Sequence, residues 1–308
     1  MTGHQHGSTR PARGLGAGWF ASVQRIGLAI VTASALIFLS CTASPAGADT
    51  VEALKERKSI ILGVRADQPP FSQIKDGKPD GYAVALCQEI VKTLRETQNM
   101  PDLGITYVTV SADSRFDDLA TGKIDLLCEG TSETIQRMQK FDFTLQIWVS
   151  GTGLMTRTDS DVANMRDLEG ERIGVVGNTS TEAMLRATLH RLLITGDVVT
   201  FESHLSALKA LEDKKIAAYF ADRDTLVVLR AQSKEPDSLR VADESLSLEP
   251  FAFALRPNDD RLRVIANLAL SRLYRSGKAQ ELFHVYFPNS EPSALLKALF
   301  ILQAIPEI

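Results

Sequence analysis

Short apolar runs alternate with amphipathic patterns along most of the chain. Residues 59–64 read Ser-Ile-Ile-Leu-Gly-Val, which is typical of a strand, and apolar side chains at spacing four after Gly81 predict a helix. The pattern then predicts further strands and helices, with strands at 105–110, 124–128 and 172–176 and helices at 116–120 and 181–193. Strands that alternate with helices indicate βαβ units and mostly parallel sheets.

One unit of this pattern occurs twice. Residues 115–128 combine a short helix, a turn, a lysine and a buried strand, and residues 206–220 repeat that scheme about 90 positions later. Each predicted strand runs into polar residues, at 129–132 and at 222–224. Because ligands of open α/β sheets bind beyond the carboxyl ends of strands, both polar segments are candidate binding loops. The repeat predicts two similar α/β lobes, and chance similarity of two ordinary βα units is the alternative.

The first 48 residues differ from the rest of the chain. They contain three arginines and no Lys, Asp or Glu, and an apolar run at 26–39 leads to Ala-Gly-Ala at 46–48. A basic segment, a short apolar run and such a site are typical of a secretory signal peptide. We therefore expect residues 1–48 to be a signal peptide, cleaved after Ala48. Residues 38–41 offer an alternative, a lipoprotein motif that would attach a lipid to Cys41.

Composition limits the class of protein. The chain has 308 residues, 44% of them hydrophobic, with 34 basic and 38 acidic side chains, which suits one large or two medium globular domains. Its net charge of −4 argues against a nucleic-acid partner, which would need a basic face. Two cysteines follow the signal segment, Cys87 and Cys128. In an oxidising compartment they are disulfide candidates, and two buried free thiols are the alternative.

Motifs for catalysis are scarce, and features for anion binding are stronger. The sequence has no Gly-x-Ser-x-Gly, His-Glu-x-x-His or Walker motif, and its histidines and cysteines lack metal-ligand spacing. We therefore predict no metal and no cofactor. Thr179 and Glu182 have the spacing of a capping box after a predicted strand. The N–H groups of such a helix start suit a carboxylate, although most capping boxes are only caps.

Several short motifs follow one another along the chain. They are Arg65-x-x-x-x-Pro70-Phe71, Gly81-Tyr82, Gly122-Lys123-Ile124-Asp125, Thr131-x-x-x-x-x-Arg137, Phe141-Asp142-Phe143 and Gly177-x-Thr179-Ser180. The set, in this order, resembles the family 3 extracytoplasmic solute-binding proteins, the periplasmic receptors of polar amino acid ABC importers. The resemblance extends over about residues 51–288. Each motif is weak by itself, so the resemblance depends on their order.

The resemblance implies an α/β fold of the type II periplasmic binding proteins, in which two hinge strands join two lobes and the ligand lies in the cleft between them. Projected onto this chain, lobe one takes residues 49–150, lobe two takes 151–250, and lobe one resumes at 251–308 with a C-terminal helix. It further implies a periplasmic receptor, which we expect to be monomeric because nothing in the sequence indicates a homo-oligomer. Such a receptor delivers an amino acid to an ABC permease in the inner membrane.

The family's contacts with the ligand head group carry over by position. Arg137 matches the arginine that binds the α-carboxylate, and Ser132 and Thr179 or Ser180 match its supporting groups. Asp222 matches the acid that accepts the α-ammonium group. An arginine and an acid on different lobes would let one amino acid bridge both lobes, which is the arrangement we expect.

Three further positions resemble the subgroup that binds glutamate and aspartate. Arg65 lies in the first strand, Arg115 lies in the loop before the Gly-Lys-x-Asp motif, and His204 lies in lobe two. Three cationic groups would suit a side-chain carboxylate, since each charge-assisted hydrogen bond contributes about 1.5–3 kcal/mol. A surface role for Arg115 and a structural role for His204 are the alternatives.

Other positions depart from the family pattern or have two interpretations. Gly130 replaces a serine that commonly bonds the ligand, so its contact would be lost or supplied by backbone. Asn178 interrupts the usual Gly-Thr-Thr. Phe71 matches an aromatic residue that packs on the ligand stem, and a place in the core is equally ordinary for it.

Two other functions are compatible with the same sequence features. Some proteins of this fold are cyclohexadienyl-dehydratase-like enzymes, in which a carboxylate of the pocket acts as general acid or base. Glu129 or Asp67 would take that role here. The third hypothesis is a ligand-sensing partner of a membrane receptor, which uses the same pocket. We expect a receptor that is not an enzyme.

Overall fold

The computed structural model describes residues 49–307 except Glu244 and Asn289, so the predicted signal peptide and the alternative lipid site at Cys41 lie outside the described residues. The strands are β1 (Ser59–Arg65), β2 (Asp67–Gln68), β3 (Ser72–Lys75), β4 (Lys78–Asp80), β5 (Gly104–Val110), β6 (Leu126–Leu127), β7 (Asp142–Ser150), β8 (Thr152–Arg157), β9 (Arg172–Val176), β10 (Asp197–Phe201), β11 (Ala218–Asp222), β12 (Leu239–Val241) and β13 (Glu249–Leu255).

Helices alternate with these strands, as the sequence pattern predicts. The α-helices are α1 (Thr50–Arg57), α2 (Tyr82–Thr97), α3 (Arg115–Ala120), α4 (Ile135–Met138), α5 (Ser180–Leu192), α6 (His204–Glu212), α7 (Arg223–Gln232), α8 (Asp260–Ser276), α9 (Lys278–Tyr286) and α10 (Ala294–Leu302). Short 3-10 helices cover Met165–Leu168 and Pro236–Ser238. The expected α/β class is confirmed.

Two five-stranded sheets have the same arrangement. Sheet one has the order β5-β1-β6-β13-β7 and sheet two the order β10-β9-β11-β8-β12. In each sheet three parallel strands are followed by two strands that join it in antiparallel pairs. The strands of the repeated sequence unit, β6 and β11, both take the central position. We call sheet one with its helices lobe one, and sheet two with its helices lobe two; the prediction of two similar α/β lobes is confirmed.

The chain passes between the two sheets at closely spaced segments. β7 of sheet one ends at Ser150 and β8 of sheet two begins at Thr152, so the first passage is at Gly151. The return runs through residues 242–248, between β12 and β13. A Cβ atom on Gly151 would collide with the backbone oxygen of Ser247 on the returning segment, which explains why glycine suits this position. The two passages therefore lie side by side.

Lobe one holds the larger hydrophobic core. Sheet one packs against α2, α8 and α9, and a cluster of aromatic rings surrounds Trp148. A disulfide joins Cys87 of α2 to Cys128, which follows β6, with an S–S distance of 2.13 Å. Both sulfurs belong to fully buried residues, so the bond ties α2 to the strand that leads into the polar segment at 129–132.

The C-terminal helix α10 buries Leu296 and Leu299 and packs against β7 and α8. Within the described residues, no helix has the length and apolar composition needed to cross a membrane. Lobe two buries two apolar clusters around sheet two. The polar ends of β1 and β6 in lobe one and of β9 and β11 in lobe two are left to form the site.

Candidate functional site

A small cavity lies where the polar strand ends of the two lobes meet. Its volume is about 30 Å³, and residues of both lobes enclose it. Nine of the ten residues proposed from the sequence line it, namely Arg65, Arg115, Gly130, Ser132, Arg137, Thr179, Ser180, His204 and Asp222. Their contacts with a ligand stay a prediction, but the structure brings these side chains together from positions that are up to 157 apart in the chain.

Phe71 is the exception. Its side chain is fully buried in the core of lobe one and does not line the cavity. Its ring packs edge to face on Trp148 and Phe251, with centroids 5.3 Å away in both pairs. The expected packing on a ligand stem is therefore corrected to a core role, because the aromatic neighbours hold the ring away from the cleft.

Arg137 is held at the wall of lobe one by the Ser132 carbonyl and the Phe116 ring. It lies in α4, a short helix whose cap is the Thr134 hydroxyl, which accepts from the Arg137 N–H at 3.2 Å. Its Nη1 donates to the Ser132 carbonyl at 2.7 Å, and its Cζ lies 5.0 Å from the Phe116 ring centroid. Burial lowers the pKa of Arg137, and nearby Glu129, Glu249 and Asp222 oppose that effect. The guanidinium group is therefore held in a fixed orientation at the wall of lobe one.

Asp222 is the acidic group of lobe two. It ends β11 and is 9% exposed. Burial raises the pKa of Asp222 to about 8, and the neighbouring carboxylates of Glu249 and Asp224 add to the rise, whereas Arg137 lowers it. A buried acid with this pKa lacks a sufficient counter-charge. An ammonium group beside it would supply that charge.

Arg65 and Asp67 form an ion pair at the end of β1. Arg65 is 2% exposed, and its Nη2 donates to Asp67 Oδ1 at 2.8 Å. The other oxygen, Asp67 Oδ2, accepts from the backbone N–H of His204 at 2.8 Å and so links lobe one to the start of α6. Burial alone would raise the pKa of Asp67, but Arg65 and His204 more than offset it and lower that pKa. Asp67 is therefore an ionised counterion of Arg65.

His204 is a neutral group in this structure. Burial lowers the pKa of His204 to about 4, and the cations Arg65 and Arg115 add to the effect against the opposing charge of Asp67. Its Nδ1 lies 2.5 Å from the hydroxyl of the buried Tyr219. The cluster expected from the sequence thus contains two cations instead of three, because a third charge beside two arginines in a dry site is unfavourable.

Arg115 bridges the lobes and meets a buried carboxylate. Its Nη2 donates to the Asn178 carbonyl of lobe two at 3.1 Å, and its Nη1 donates to the Ala112 carbonyl. Its Nε lies 3.0 Å from Glu129 Oε1, and its Cζ lies 4.8 Å from the Phe116 ring centroid. Burial lowers the pKa of Arg115 to about 10, with Glu129 opposing. Arg115 is still charged at neutral pH.

The start of α5 faces lobe one. The Thr179 hydroxyl accepts from the Glu182 N–H at 3.1 Å and donates to the Val176 carbonyl at 2.7 Å, so it is fully engaged as the cap. The hydroxyl oxygens of Ser180 and Ser132 lie 2.8 Å apart across the lobes. The first N–H groups of an α-helix lack intrahelical partners. Ser180 and the helix start therefore offer donors for an anion.

Gly130 lines the cavity but its backbone is already used. Its N–H donates to Gln68 Oε1 and its carbonyl accepts from Gln68 Nε2, both at 2.9 Å. A Cβ atom here would lie 2.8 Å from Phe251 Cε2 and 3.2 Å from Gln68 Nε2. Glycine therefore lets the Gln68 amide close over the polar segment, and both backbone groups of Gly130 are engaged within the protein.

Gly130→Ala is expected to lower the free energy of unfolding by about 2 kcal/mol, because the methyl group overlaps Phe251 in a packed core. Urea unfolding measures the change. The control is Gly104→Ala, where a Cβ would meet its nearest atom at 3.5 Å. Equal stability of the two variants would contradict the close packing at Gly130.

Several residues of the cavity wall were not proposed as ligand contacts from the sequence. They are Gln68, Thr131, Val176, Thr181, Phe220 and Ala221, together with Glu129, which was considered only for an enzyme. Glu129, Thr131 and Ala221 adjoin predicted strand ends, so their position was a usable signal. Among the described residues, no group of three or more His, Cys, Asp or Glu side chains has an arrangement that would hold a metal ion.

The family model and the similar proteins all indicate one family, that of the bacterial solute-binding proteins. Residues 60–289 match the bacterial extracellular solute-binding proteins, family 3. The chain is 26% identical over 258 residues to the glutamate/aspartate import solute-binding protein of Salmonella typhimurium, which covers 83% of this chain and 85% of that protein. It is 27% identical over 270 residues to the L-cystine-binding protein TcyJ of Escherichia coli, which covers 87% and 97%.

The fold is also similar to solved structures. A mutant of ArgBP from T. maritima superposes with a TM-score of 0.70 at 25% identity, over 78% of this chain and 99% of that chain. The relatives thus agree in architecture, whereas the solutes in their names differ.

Proposed function

We propose a function from the fact that this chain belongs to the bacterial extracellular solute-binding proteins, family 3. The protein is a periplasmic receptor that binds a polar amino acid between its lobes and delivers it to an ABC permease. One observation carries the proposal: Arg137 of lobe one and Asp222 of lobe two line the same cavity. Their charges match the two ends of an amino acid head group.

Arg137 is proposed to bind the α-carboxylate. Its guanidinium is oriented by the Ser132 carbonyl and the Phe116 ring, and planar guanidinium groups bind carboxylates through two parallel hydrogen bonds. The hydroxyl of Ser180 and the positive end of α5 approach the same cavity from lobe two. The carboxylate would then contact both lobes.

Asp222 is proposed to accept the α-ammonium group. Its carboxylate has acidic neighbours, and Arg137 is the cation that lowers its pKa. A ligand that places a carboxylate on Arg137 and an ammonium on Asp222 keeps both charges compensated in a buried site. This pairing also fixes the direction in which the amino acid lies.

Binding requires the lobes to separate and close. The cavity of about 30 Å³ has room for about two water molecules, which is less than an amino acid occupies. Contacts across the cleft include the Ser132–Ser180 pair and the bond from the His204 N–H to Asp67. A ligand that contacts both lobes shifts the population towards the closed arrangement, and one that contacts a single lobe does not.

The identity of the ligand side chain is a finer hypothesis. The sequence resemblance implies that Arg65 and Arg115 bind the side-chain carboxylate of glutamate or aspartate. Each of these cations is also paired, Arg65 with Asp67 at 2.8 Å and Arg115 with Glu129 at 3.0 Å. An acidic side chain and a neutral polar side chain are therefore the two possibilities. Both are polar, and we propose a ligand with a polar side chain.

We propose a binding role without catalysis. The dehydratase alternative requires a pocket carboxylate that is free to exchange a proton. Glu129 and Asp67, the candidates from the sequence, both lie in ion pairs with arginine. Asp222 also lines the cavity, and we assign it to the α-ammonium group of the ligand. Incubation with prephenate or arogenate is expected to give no product.

We also propose that residues 1–48 are a signal peptide and that the lobes meet after residues 150 and 250.

Isothermal titration against the twenty amino acids tests the proposed function. The purified protein is first unfolded and refolded to remove any bound ligand. Saturable binding of at least one polar amino acid at one site per chain is the expected result. No binding across the panel by a protein whose circular dichroism confirms refolding would refute the receptor function.

A further inference from the structure

Glu129 occupies the part of the cavity that the two paired arginines would offer to a ligand side chain. It follows β6 directly and is 2% exposed. Its Oε1 lies 3.0 Å from Arg115 Nε and accepts from the Thr131 hydroxyl at 2.8 Å. Its Oε2 lies 3.7 Å from Arg65 Nη1. A carboxylate of the protein therefore already lies between the two cations.

The arginines have partners of their own besides Glu129. Arg65 is held by Asp67, and Arg115 by the carbonyls of Ala112 and Asn178. Other contacts thus fix the positions of both arginines. Glu129 mainly contributes a negative charge beside them. The consequence of Glu129 is electrostatic: a second carboxylate brought to this place would meet a negative charge as well as the positive ones.

One carboxylate oxygen of Glu129 is available to accept a hydrogen bond. Within the part of the chain that the structure describes, Glu129 Oε2 is buried and has no hydrogen-bond partner. A buried acceptor without a donor destabilises the folded protein, because it has lost its hydrogen bonds to water. A ligand with an N–H or O–H group in its side chain would supply that donor, whereas a ligand carboxylate would supply none.

The balance of charges around the cavity also favours a ligand with an uncharged side chain. Arg65 is balanced by Asp67, and Arg115 by Glu129. In the proposed function the remaining pair, Arg137 and Asp222, takes the ligand head group. A ligand with an uncharged side chain leaves each of these three arginines and three acids with an opposite charge, and an acidic side chain adds a negative charge without a partner.

We propose that Glu129 determines side-chain specificity: it excludes acidic amino acids and selects a neutral side chain that both donates and accepts hydrogen bonds, such as a carboxamide. The amide N–H would donate to Glu129 Oε2, and the amide oxygen would accept from Arg65 or Arg115. This proposal rests on the proposed function, since it requires that Arg137 and Asp222 hold the amino acid head group.

The first test uses the refolded wild-type protein and isosteric ligands. Calorimetric titration compares glutamine with glutamate and asparagine with aspartate. At least one amide is expected to bind about tenfold or more tightly than its acid, which corresponds to one charge-assisted contact. Equal or tighter binding of the acid in both pairs would overturn the proposal, as would a preference for lysine or arginine over all neutral amino acids.

The second test removes the charge of Glu129. Glu129→Gln is expected to shift the ratio of acid to amide affinity by about tenfold or more towards the acid, because Arg115 loses the carboxylate that balances its charge. The control is Glu133→Gln in the same loop, whose carboxylate accepts from Gln146 at 2.7 Å and does not line the cavity. An unchanged ratio in folded Glu129→Gln would overturn the proposal.

The outcomes separate this proposal from the proposed function. A wild-type protein that binds acidic amino acids best, with binding lost in Arg137→Ala, keeps the receptor function and refutes the role of Glu129. A wild-type protein that binds no amino acid refutes both. If Glu129→Gln does not fold, the wild-type comparison of amide with acid still decides the matter.

Discussion

Arg137→Ala is expected to weaken the binding of every amino acid ligand by about a hundredfold or more. Truncating one partner of a buried, hydrogen-bonded charge pair costs about 3 kcal/mol, and each 1.4 kcal/mol is a factor of ten. The loss is independent of the ligand side chain, because the α-carboxylate is common to all amino acids. Asp222 would also lose the cation that lowers its pKa.

Calorimetry of the variant against the ligand of the wild-type protein measures this loss. Arg272→Ala is the matched control, since it removes an arginine of α8 that pairs with Glu96 and Glu307 outside the cavity. Arg137→Lys is expected to lie between wild type and Arg137→Ala, because lysine keeps the charge and lacks the planar fork. Unchanged affinity in a folded Arg137→Ala protein would show that the carboxylate binds elsewhere.

Asp222→Asn is expected to reduce affinity by about a hundredfold and at the same time to stabilise the protein without ligand at neutral and alkaline pH. The loss of affinity follows from the α-ammonium group, which would lose its ionised partner. The gain in stability follows from the pKa of about 8, which burial and the carboxylates of Glu249 and Asp224 impose on Asp222.

The way in which stability changes with pH follows from the difference in the pKa of Asp222 between the folded and unfolded protein. The pKa of Asp222 in the folded protein lies above the ordinary value of 3.8, so between about pH 4 and pH 8 the folded protein keeps a proton that the unfolded chain releases. The stability of wild-type protein therefore falls as the pH rises through that window, and asparagine removes this loss. Ligand binding below pH 8 is expected to release a proton, because the ammonium group favours the ionised acid.

Urea unfolding of both proteins from pH 4 to pH 9 tests the stability claim. The stability difference between Asp222→Asn and wild type should grow with pH and level off above about pH 8. Titration at pH 7 in buffers of different ionisation enthalpy measures the proton released by wild type. A stability difference that is constant with pH would rule out the raised pKa, and normal affinity of the variant would remove Asp222 from the ligand site.

Much of the fold is readable from the sequence because each unit is locally consistent. The apolar run of β1 and the capped start of α5 form almost as predicted, since their patterns match their burial. The strand predicted at 124–128 pairs only at Leu126–Leu127. At Asp125 the backbone N–H still donates to the Ile61 carbonyl at 2.8 Å, but the Ile61 N–H donates to the Asp125 carboxylate, also at 2.8 Å, and not to a backbone carbonyl. Pattern alone does not distinguish such a bond from a ladder bond.

The site is predictable where it depends on strand ends and less so where it depends on neighbours in space. The strand-end position of Asp222 follows from the sequence pattern, whereas the roles expected of Asp222 and Arg137 come from the family resemblance. The neutral state of His204 does not follow from the sequence pattern, because it results from burial and from the charges of Arg65 and Arg115, which are distant in sequence. The closure of Gln68 on Gly130 and the ion pair of Glu129 with Arg115 are likewise contacts between separate segments.

The most direct test of the central claim, that one amino acid is held by Arg137 and Asp222 together, compares a ligand with its own capped derivatives. The amino acid that binds most tightly in the panel is titrated beside its α-carboxamide and its N-acetyl form. We predict that each derivative binds about a hundredfold or more weakly, because each loses one of the two buried charge contacts. Binding of either derivative with the affinity of the parent amino acid would contradict the claim.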